Sequence, residues 1–71
     1  MRVLIVERVN GSDKLPGDAE PYSDEAGALH IREIEYLIEE GKPPQRLRSV
    51  LSTIYAPGHW SKCYYREEET K

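Results

Sequence analysis

Four consecutive apolar residues near the N-terminus, Val3 to Val6, most constrain what this chain can fold into. They lie in a β-branched run over residues 2–9, which ends at the turn-forming pair Asn10-Gly11. Successive side chains of a strand point to opposite faces, so an unbroken apolar run indicates a strand that is covered on both faces or central in a sheet. We therefore predict a strand over residues 2–9.

The chain is small for the core that such a sheet needs. It has 71 residues, 32% of them charged, and no Phe, so Val, Ile, Leu and the Tyr and Trp rings must fill the interior. Its single cysteine, Cys63, cannot form an internal disulfide, which indicates a reducing compartment such as the cytoplasm. The N-terminal apolar run is too short for a signal peptide or a membrane span. We expect one soluble domain over residues 1–71, without a membrane partner.

The next two segments predict a loop followed by a helix. Residues 10–23 contain two Gly, two Pro and three acidic side chains, which favours a long flexible loop. Ser23 is a favourable N-cap, and Gly41 followed by two prolines is a typical helix end. Between them apolar side chains recur at helical spacing, so we predict one helix over residues 24–40. That apolar stripe consists of Ile31, Ile34, Leu37 and Ile38, with His30 at its edge.

Acidic and isolated apolar side chains occupy the other faces of this predicted helix. Glu33, Glu39 and Glu40 form an acidic face, which is usually solvated but can also steer the protein towards a basic partner. Leu29 and Tyr36 lie together outside the apolar stripe. Because a short chain gains stability by association with its own copy, they are candidate contacts of a homodimer.

The C-terminal third has two competing interpretations. Residues 47–54 fit an amphipathic helix, whereas residues 45–66 fit a β-hairpin that turns at Pro57-Gly58. We favour the hairpin, because its register pairs aromatic and aliphatic side chains with each other, and opposite charges with each other, across the two strands. The acidic tail, residues 67–71, is expected to be disordered. The predicted pairs are Tyr55 with Trp60, Thr53 with Lys62, Leu51 with Tyr64, Val50 with Tyr65, and Arg48 with Glu67.

Together these elements predict an α+β fold in the order β-α-β-β, with a three-stranded, mostly antiparallel sheet and one helix packed on one face. One helix covers only one face of a sheet, so the other face of the hairpin stays exposed. That face would be an aromatic and basic platform, which we take as the candidate partner-binding site. Its residues are Arg48, Tyr55, Trp60, Lys62, Tyr64 and Arg66.

The sequence carries no strong signature of catalysis. It has no glycine-rich phosphate loop, and His30, His59 and Cys63 lack the paired spacing of a structural zinc site. A Cys-His nucleophile would need Cys63 as a thiolate beside a base, with His30 as the candidate base. Free cysteine facing a core more often behaves as a small apolar residue. We predict that the protein is not an enzyme and holds no metal and no cofactor.

The uneven distribution of charge indicates a binding function. The net charge is −3, yet residues 42–66 hold five basic and no acidic side chains, the only Trp and three of the five Tyr. Exposed Tyr, Trp and Arg are typical of protein interfaces. We expect a small regulator or inhibitor that binds a protein, with nucleic-acid-binding proteins among the candidate partners. Phage- and plasmid-encoded accessory proteins, such as inhibitors of host defence nucleases, are often of this type.

Two alternative functions stay open. The same rings and cations could stack on a single-stranded nucleic acid and neutralise its phosphates, although a pI near 5.3 opposes binding to a polyanion. The chain could also be a small dimeric structural module, because a three-stranded sheet has two edges that can pair with a second copy.

Overall fold

A computed structural model describes residues 1–69, which form six β-strands in two antiparallel three-stranded sheets. Sheet 1 has the strand order β2-β1-β6, and sheet 2 has the order β3-β4-β5. These residues contain no helix, and hence no helix long and apolar enough to cross a membrane. The strands are β1 (Arg2–Arg8), β2 (Gly11–Pro16), β3 (Glu20–Ser23), β4 (Leu29–Leu37), β5 (Gln45–Tyr55) and β6 (Lys62–Glu67).

The predicted N-terminal strand is confirmed as β1, the central strand of sheet 1. All four residues of its apolar run are buried. Leu4 and Val6 belong to the core between the sheets, so Val3 and Ile5 point to the outer face. Tyr64 of β6 stands directly opposite Ile5 there. Long neighbouring side chains thus cover the outer face, which explains how both faces of one short strand are buried.

The core lies between the inner faces of the two sheets. Leu4 and Val6 of sheet 1 meet Leu29 and Ile31 of sheet 2, with Ala19 from the connection between them. Burial of these side chains supplies the main favourable term in folding, at roughly 25 cal/mol per Å² of apolar area. Four partly buried residues extend the cluster: Leu15, Tyr55, Trp60 and Cys63.

The predicted helix over residues 24–40 is wrong, because β4 and the end of the β3–β4 connection occupy this segment. Leu29 and Ile31 are buried in the core, while Arg32 is exposed, as the two-residue period of a strand requires. Beyond Arg32 the apolar residues change face, since Ile34 is an odd number of positions from Ile31. This change of face produces the spacing of three residues that imitates a helix.

The polar residues that suggest a helix start form a hairpin turn instead. The Oδ1 atom of Asp24 accepts hydrogen bonds from the backbone N–H groups of Ala26 and Ala28, at 2.9 and 3.0 Å. Gly27 follows with a φ of 90°, a conformation that glycine adopts most easily. Asp24 therefore satisfies backbone donors as a helix cap would, but in the turn between β3 and β4.

The predicted loop over residues 10–23 is also wrong, because it contains β2 and β3. β2 pairs with β1 after a two-residue turn, with Arg8 opposite Gly11. β2 and β3 are edge strands whose side chains are mostly exposed, so they need few apolar residues. A polar composition therefore does not distinguish them from a loop.

Residues 45–55 and 62–67 are strands, but they do not form the predicted hairpin, and its register does not exist. β5 pairs with β4 and β6 pairs with β1, in different sheets. The turn at Pro57-Gly58 is present: His59 N–H donates to the Ala56 carbonyl at 3.0 Å, and Gly58 has a φ of 81°. These are features of a type II turn, whose twist splays two strands instead of pairing them. The α+β prediction is thus corrected to an all-β fold.

The acidic tail is in part tied to sheet 1. Glu67 ends β6, and the Glu68 carboxylate accepts hydrogen bonds from Lys14 at 2.9 Å and Arg66 at 2.6 Å. Both interactions hold the pKa of Glu68 below its ordinary value. Glu69 is exposed and lies outside the strand, and residues 70 and 71 of the tail, for which disorder was expected, lie outside the described part of the chain.

Candidate protein-interaction surface

The six predicted partner-binding residues lie in three different places. Tyr55 and Trp60 pack against the core between the sheets. Arg48 lies in the distal part of β5, where its guanidinium binds Glu35 at 3.1 Å. The predicted platform is therefore not assembled. The remaining three side chains share the outer face of sheet 1, with Val3 and Ile5: Lys62, Tyr64 and Arg66.

Two of the predicted interface rings connect the sheets. The Tyr55 hydroxyl donates to Asp13 Oδ2 at 2.7 Å, and Trp60 Nε1 donates to the Gly27 carbonyl at 2.9 Å. Burial and the hydrogen bond with Asp13 raise the pKa of Tyr55 to about 12. Tyr55 and Arg8 in turn hold the pKa of Asp13 below its ordinary value. Tyr55 thus links the two sheets directly, and Trp60 ties the β5–β6 connection between the sheets to the β3–β4 turn, so the two rings do not form a stacking platform.

We predict that the link through Tyr55 makes stability fall in alkali. The pKa of its phenol is about 12 in the folded chain, and the ordinary value is 10.0. The folded chain therefore holds the proton more tightly than the unfolded chain. This contribution is fully present below pH 10 and is lost as pH rises towards 12. Tyr55→Phe should therefore flatten the decline of the free energy of unfolding, measured by urea titration across this range. Equal declines would contradict the prediction, and exposed Tyr22→Phe is the control that should keep the wild-type profile.

The outer face of sheet 1 carries less free positive charge than the sequence suggests. Lys14 and Arg66 both bind the carboxylate of Glu68. Lys62 of β6 stands opposite Glu7 of β1. Burial and a hydrogen bond to Glu7 raise the pKa of the Tyr64 phenol. Since a carboxylate already binds Lys14 and Arg66, the face is a weak site for a polyanion.

The residues of the predicted acidic face do not lie together, and neither do the two predicted dimer contacts. Glu33 lies in β4 opposite Val50, while Glu39 in the following turn binds Lys42 at 3.1 Å. Glu40 lies beside Glu39 in the same turn. Leu29 is 2% exposed, so it belongs to the core of one chain and cannot contact a second copy. Tyr36 is exposed, and its hydroxyl donates to Asp18.

The outer face of sheet 2 exposes large apolar side chains side by side. Tyr22, His30 and Ile54 stand in one row across β3, β4 and β5, and Leu51 stands in the next row. Tyr22 is 63% exposed, Ile54 53% and Leu51 48%. We refer to Tyr22, Leu51 and Ile54 as the apolar face. Sequence reasoning missed it because Tyr22 lay in the predicted loop and the hairpin placed Leu51 and Ile54 on opposite faces.

Polar and charged side chains lie among the residues of the apolar face. Glu20 and Arg32 share the row of Leu51. His30 Nε2 lies 2.9 Å from Asp24 Oδ2, and this hydrogen bond is the main cause that lowers the pKa of Asp24. His30 and Arg32 of the central strand β4 thus lie between Tyr22 on β3 and the pair Leu51 and Ile54 on β5, so the face mixes apolar with polar and charged side chains.

A cleft of about 510 Å³ adjoins the apolar face. It lies between the β1–β2 turn and the β5–β6 connection, and Ile54 belongs to both features. Apolar atoms and three nitrogen-bearing side chains surround it, so it suits an apolar side chain of a partner with polar groups beside it. The lining residues are Arg8, Val9, Asn10, Ile54, Tyr55, Ala56, Gly58 and His59.

The groups considered for catalysis are separated. Cys63 faces Val6 in sheet 1, and burial raises the pKa of its thiol, which disfavours the reactive thiolate. His30 lies in sheet 2 and binds Asp24. Among residues 1–69, no group of three or more His, Cys, Asp or Glu side chains is arranged to hold a metal ion.

These features define a small all-β protein with two antiparallel sheets and one exposed apolar face. No protein-family model, curated protein or solved structure matches the chain. A proposal for its function therefore rests on the chemistry of its own surface.

Proposed function

We propose that this protein is a non-catalytic binding protein whose apolar face occupies a surface on a protein partner. The observation that carries the proposal is the exposure of Tyr22, Leu51 and Ile54 on one face, beside a cleft. Leaving these side chains in water costs free energy that contact with a partner recovers. Large exposed apolar side chains next to polar and charged groups are typical of protein interaction sites.

The surroundings of the apolar face define the chemistry of the partner. Arg8 and His59 line the cleft, and Glu20 and Arg32 flank Leu51. The partner therefore presents an apolar projection flanked by polar groups of both charges, not a uniformly charged surface. A regulator or inhibitor that covers a functional surface of another protein fits this description.

A nucleic-acid-binding protein is a suitable partner within this class. Glu33 in the middle of β4 and Glu40 in the turn after it do not form one face, but each can bind a cation of such a partner in place of a phosphate, whereas Glu39 binds Lys42. The free thiol of Cys63 supports a reducing compartment, and we place the protein in the cytoplasm on that basis.

We predict that Tyr22→Ala with Ile54→Ala weakens partner binding by more than about tenfold, because truncated interface residues of this type often cost more than about 1 kcal/mol each. The partner is first isolated by co-purification from cells that produce the protein, and its affinity is then measured by calorimetry. The matched control is Leu37→Ala with Ile38→Ala, which removes two exposed apolar side chains outside the apolar face and the cleft. Thermal melts verify that both double variants are folded.

Two results would contradict the proposal. One is equal partner affinity in the wild type, the test variant and the control. The other is tight binding of a single-stranded oligonucleotide at about 50 mM salt that weakens steeply as salt increases. That behaviour would identify nucleic acid as the ligand, with Tyr64 and Lys62 on the outer face of sheet 1 as its site.

A further inference from the structure

We infer that a second copy of this chain pairs its β5 strand with β5, which joins two copies of sheet 2 into one six-stranded antiparallel sheet. β5 is the longest strand, with 11 residues, and it forms an edge of sheet 2. Within residues 1–69 no strand pairs with its outer side. An unpaired edge of this length offers a row of backbone donors and acceptors to another strand. The inference concerns this edge and does not depend on the proposed function of the apolar face.

The part of the β4–β5 pair that lies beyond Arg32 has no third strand beside it. β3 reaches only as far as Arg32, so residues 33–37 pair with β5 alone. The radius of gyration is 14.1 Å, against roughly 11 Å for a compact chain of this length, which indicates an extended molecule. Leu37 and Leu47 of this ribbon are exposed. Because a two-stranded ribbon is only marginally stable in water, a third strand would stabilise it.

The charges of β5 select the register in which it can pair with a copy of itself. Arg46 and Arg48 lie near one end, and β5 has no acidic residue. Antiparallel pairing over all 11 residues is centred on Val50, which places Arg46 opposite Ile54 and Arg48 opposite Ser52. Every cation then faces an uncharged side chain. Registers shifted towards the arginines would set like charges against each other, which is unfavourable.

The irregularities of β5 leave the centre of this register intact. The pairing with β4 shifts at two places, between Ile31 and Arg32 and between Glu35 and Tyr36. Between the shifts, residues 48–51 pair regularly with β4, and Val50 lies in this stretch. Bulges bend an edge locally, so the regular stretch is where a second strand can align.

The two-fold axis at Val50 also determines how the outer faces combine. Such an axis is perpendicular to the sheet, so both copies keep the same face outward. Leu51 and Ile54 of both chains then lie on one side of the joined sheet. The dimer therefore presents two apolar faces to the same side.

Disulfide cross-linking tests this register. In a Cys63→Ser background, Val50→Cys places two thiols opposite each other, with about 4.5–5.5 Å between Cα atoms, a separation that a disulfide can bridge. We expect rapid formation of a covalent dimer under mild oxidation. Leu51→Cys should cross-link far more slowly, since residue 51 faces residue 49 of the other copy. Ile38→Cys, at an exposed position in the turn after β4, is the control for random collision.

Light scattering on a sizing column provides the second measurement, and twice the 8.2 kDa chain mass is expected for the wild type. If Val50→Cys does not fold, Ser49→Cys with Leu51→Cys serves instead, because these two positions face each other in the dimer and both lie in the regular stretch. A monomeric mass at every concentration would overturn the inference, as would cross-linking of Ile38→Cys as rapid as that at the axis. Neither result would affect the proposed role of the apolar face.

Discussion

Replacing Ile31 by alanine is expected to unfold a large fraction of the protein, whereas the same replacement of Ile34 is expected to be mild. Ile31 is fully buried in the core between the sheets. Truncating such a side chain costs roughly 2–5 kcal/mol, because it removes apolar burial and leaves a cavity. A domain of this size has only a small margin of stability, so the loss is comparable with the total. Ile34 is half-buried on the opposite side of β4.

Urea denaturation of both variants, followed by circular dichroism, measures this difference. The comparison also tests the fold, because in a helix over residues 24–40 both isoleucines would belong to one buried stripe. In β4 their side chains point to opposite faces. Equal destabilisation by the two replacements would therefore argue for the helix and against the two-sheet structure.

Replacing Gly17 by alanine is the second change expected to have a large effect. A Cβ atom at this position would lie 2.0 Å from the carbonyl oxygen of Arg2 and 2.6 Å from its carbonyl carbon. Both are backbone atoms of β1, so a side-chain rotation cannot relieve the clash. The Arg2 Nε group also donates to the Gly17 carbonyl at 3.0 Å, which the required shift would disrupt. We expect a loss of at least about 1–3 kcal/mol, as for other overpacked sites.

Gly41→Ala is the matched control for Gly17→Ala. A Cβ at Gly41 would meet nothing within 4 Å, so the only cost is its φ of 76°. That left-handed conformation costs a non-glycine residue about 1–2 kcal/mol. Thermal melts of the two variants provide the comparison. A higher melting temperature for Gly17→Ala than for Gly41→Ala would show that β1 does not approach the β2–β3 connection this closely.

Local signals in the sequence predicted several elements correctly. The run from Val3 to Val6 predicted β1, and the Asn10-Gly11 and Pro57-Gly58 pairs marked turns. These predictions succeed because side-chain shape and backbone freedom act over a few residues. The segment of β4 failed for the same reason. Its apolar residues change face where the strand leaves the core, and local spacing does not show where a core ends.

The pairing of strands depends on contacts that local patterns do not contain. Tyr55 binds Asp13 across 42 residues, and the partner of β5 is decided by β4 and not by the adjacent turn. Tyrosine is a residue type typical of interfaces, which is why Tyr55 was predicted to bind a partner, but in the structure Tyr55 connects the two sheets. The apolar face was missed for the complementary reason: its three residues come from two strands that are not neighbours in the sheet.

The pairing of β1 with β6 has a consequence for how the chain folds during its synthesis. Arg2 stands opposite Glu67, so β1 leaves the ribosome well before its partner β6 and waits for it before sheet 1 is complete. Sheet 2 needs only nearby hairpins and can form earlier. Until β6 emerges, one side of β1 and its apolar residues are unprotected, and this interval is when the nascent chain is most vulnerable to aggregation.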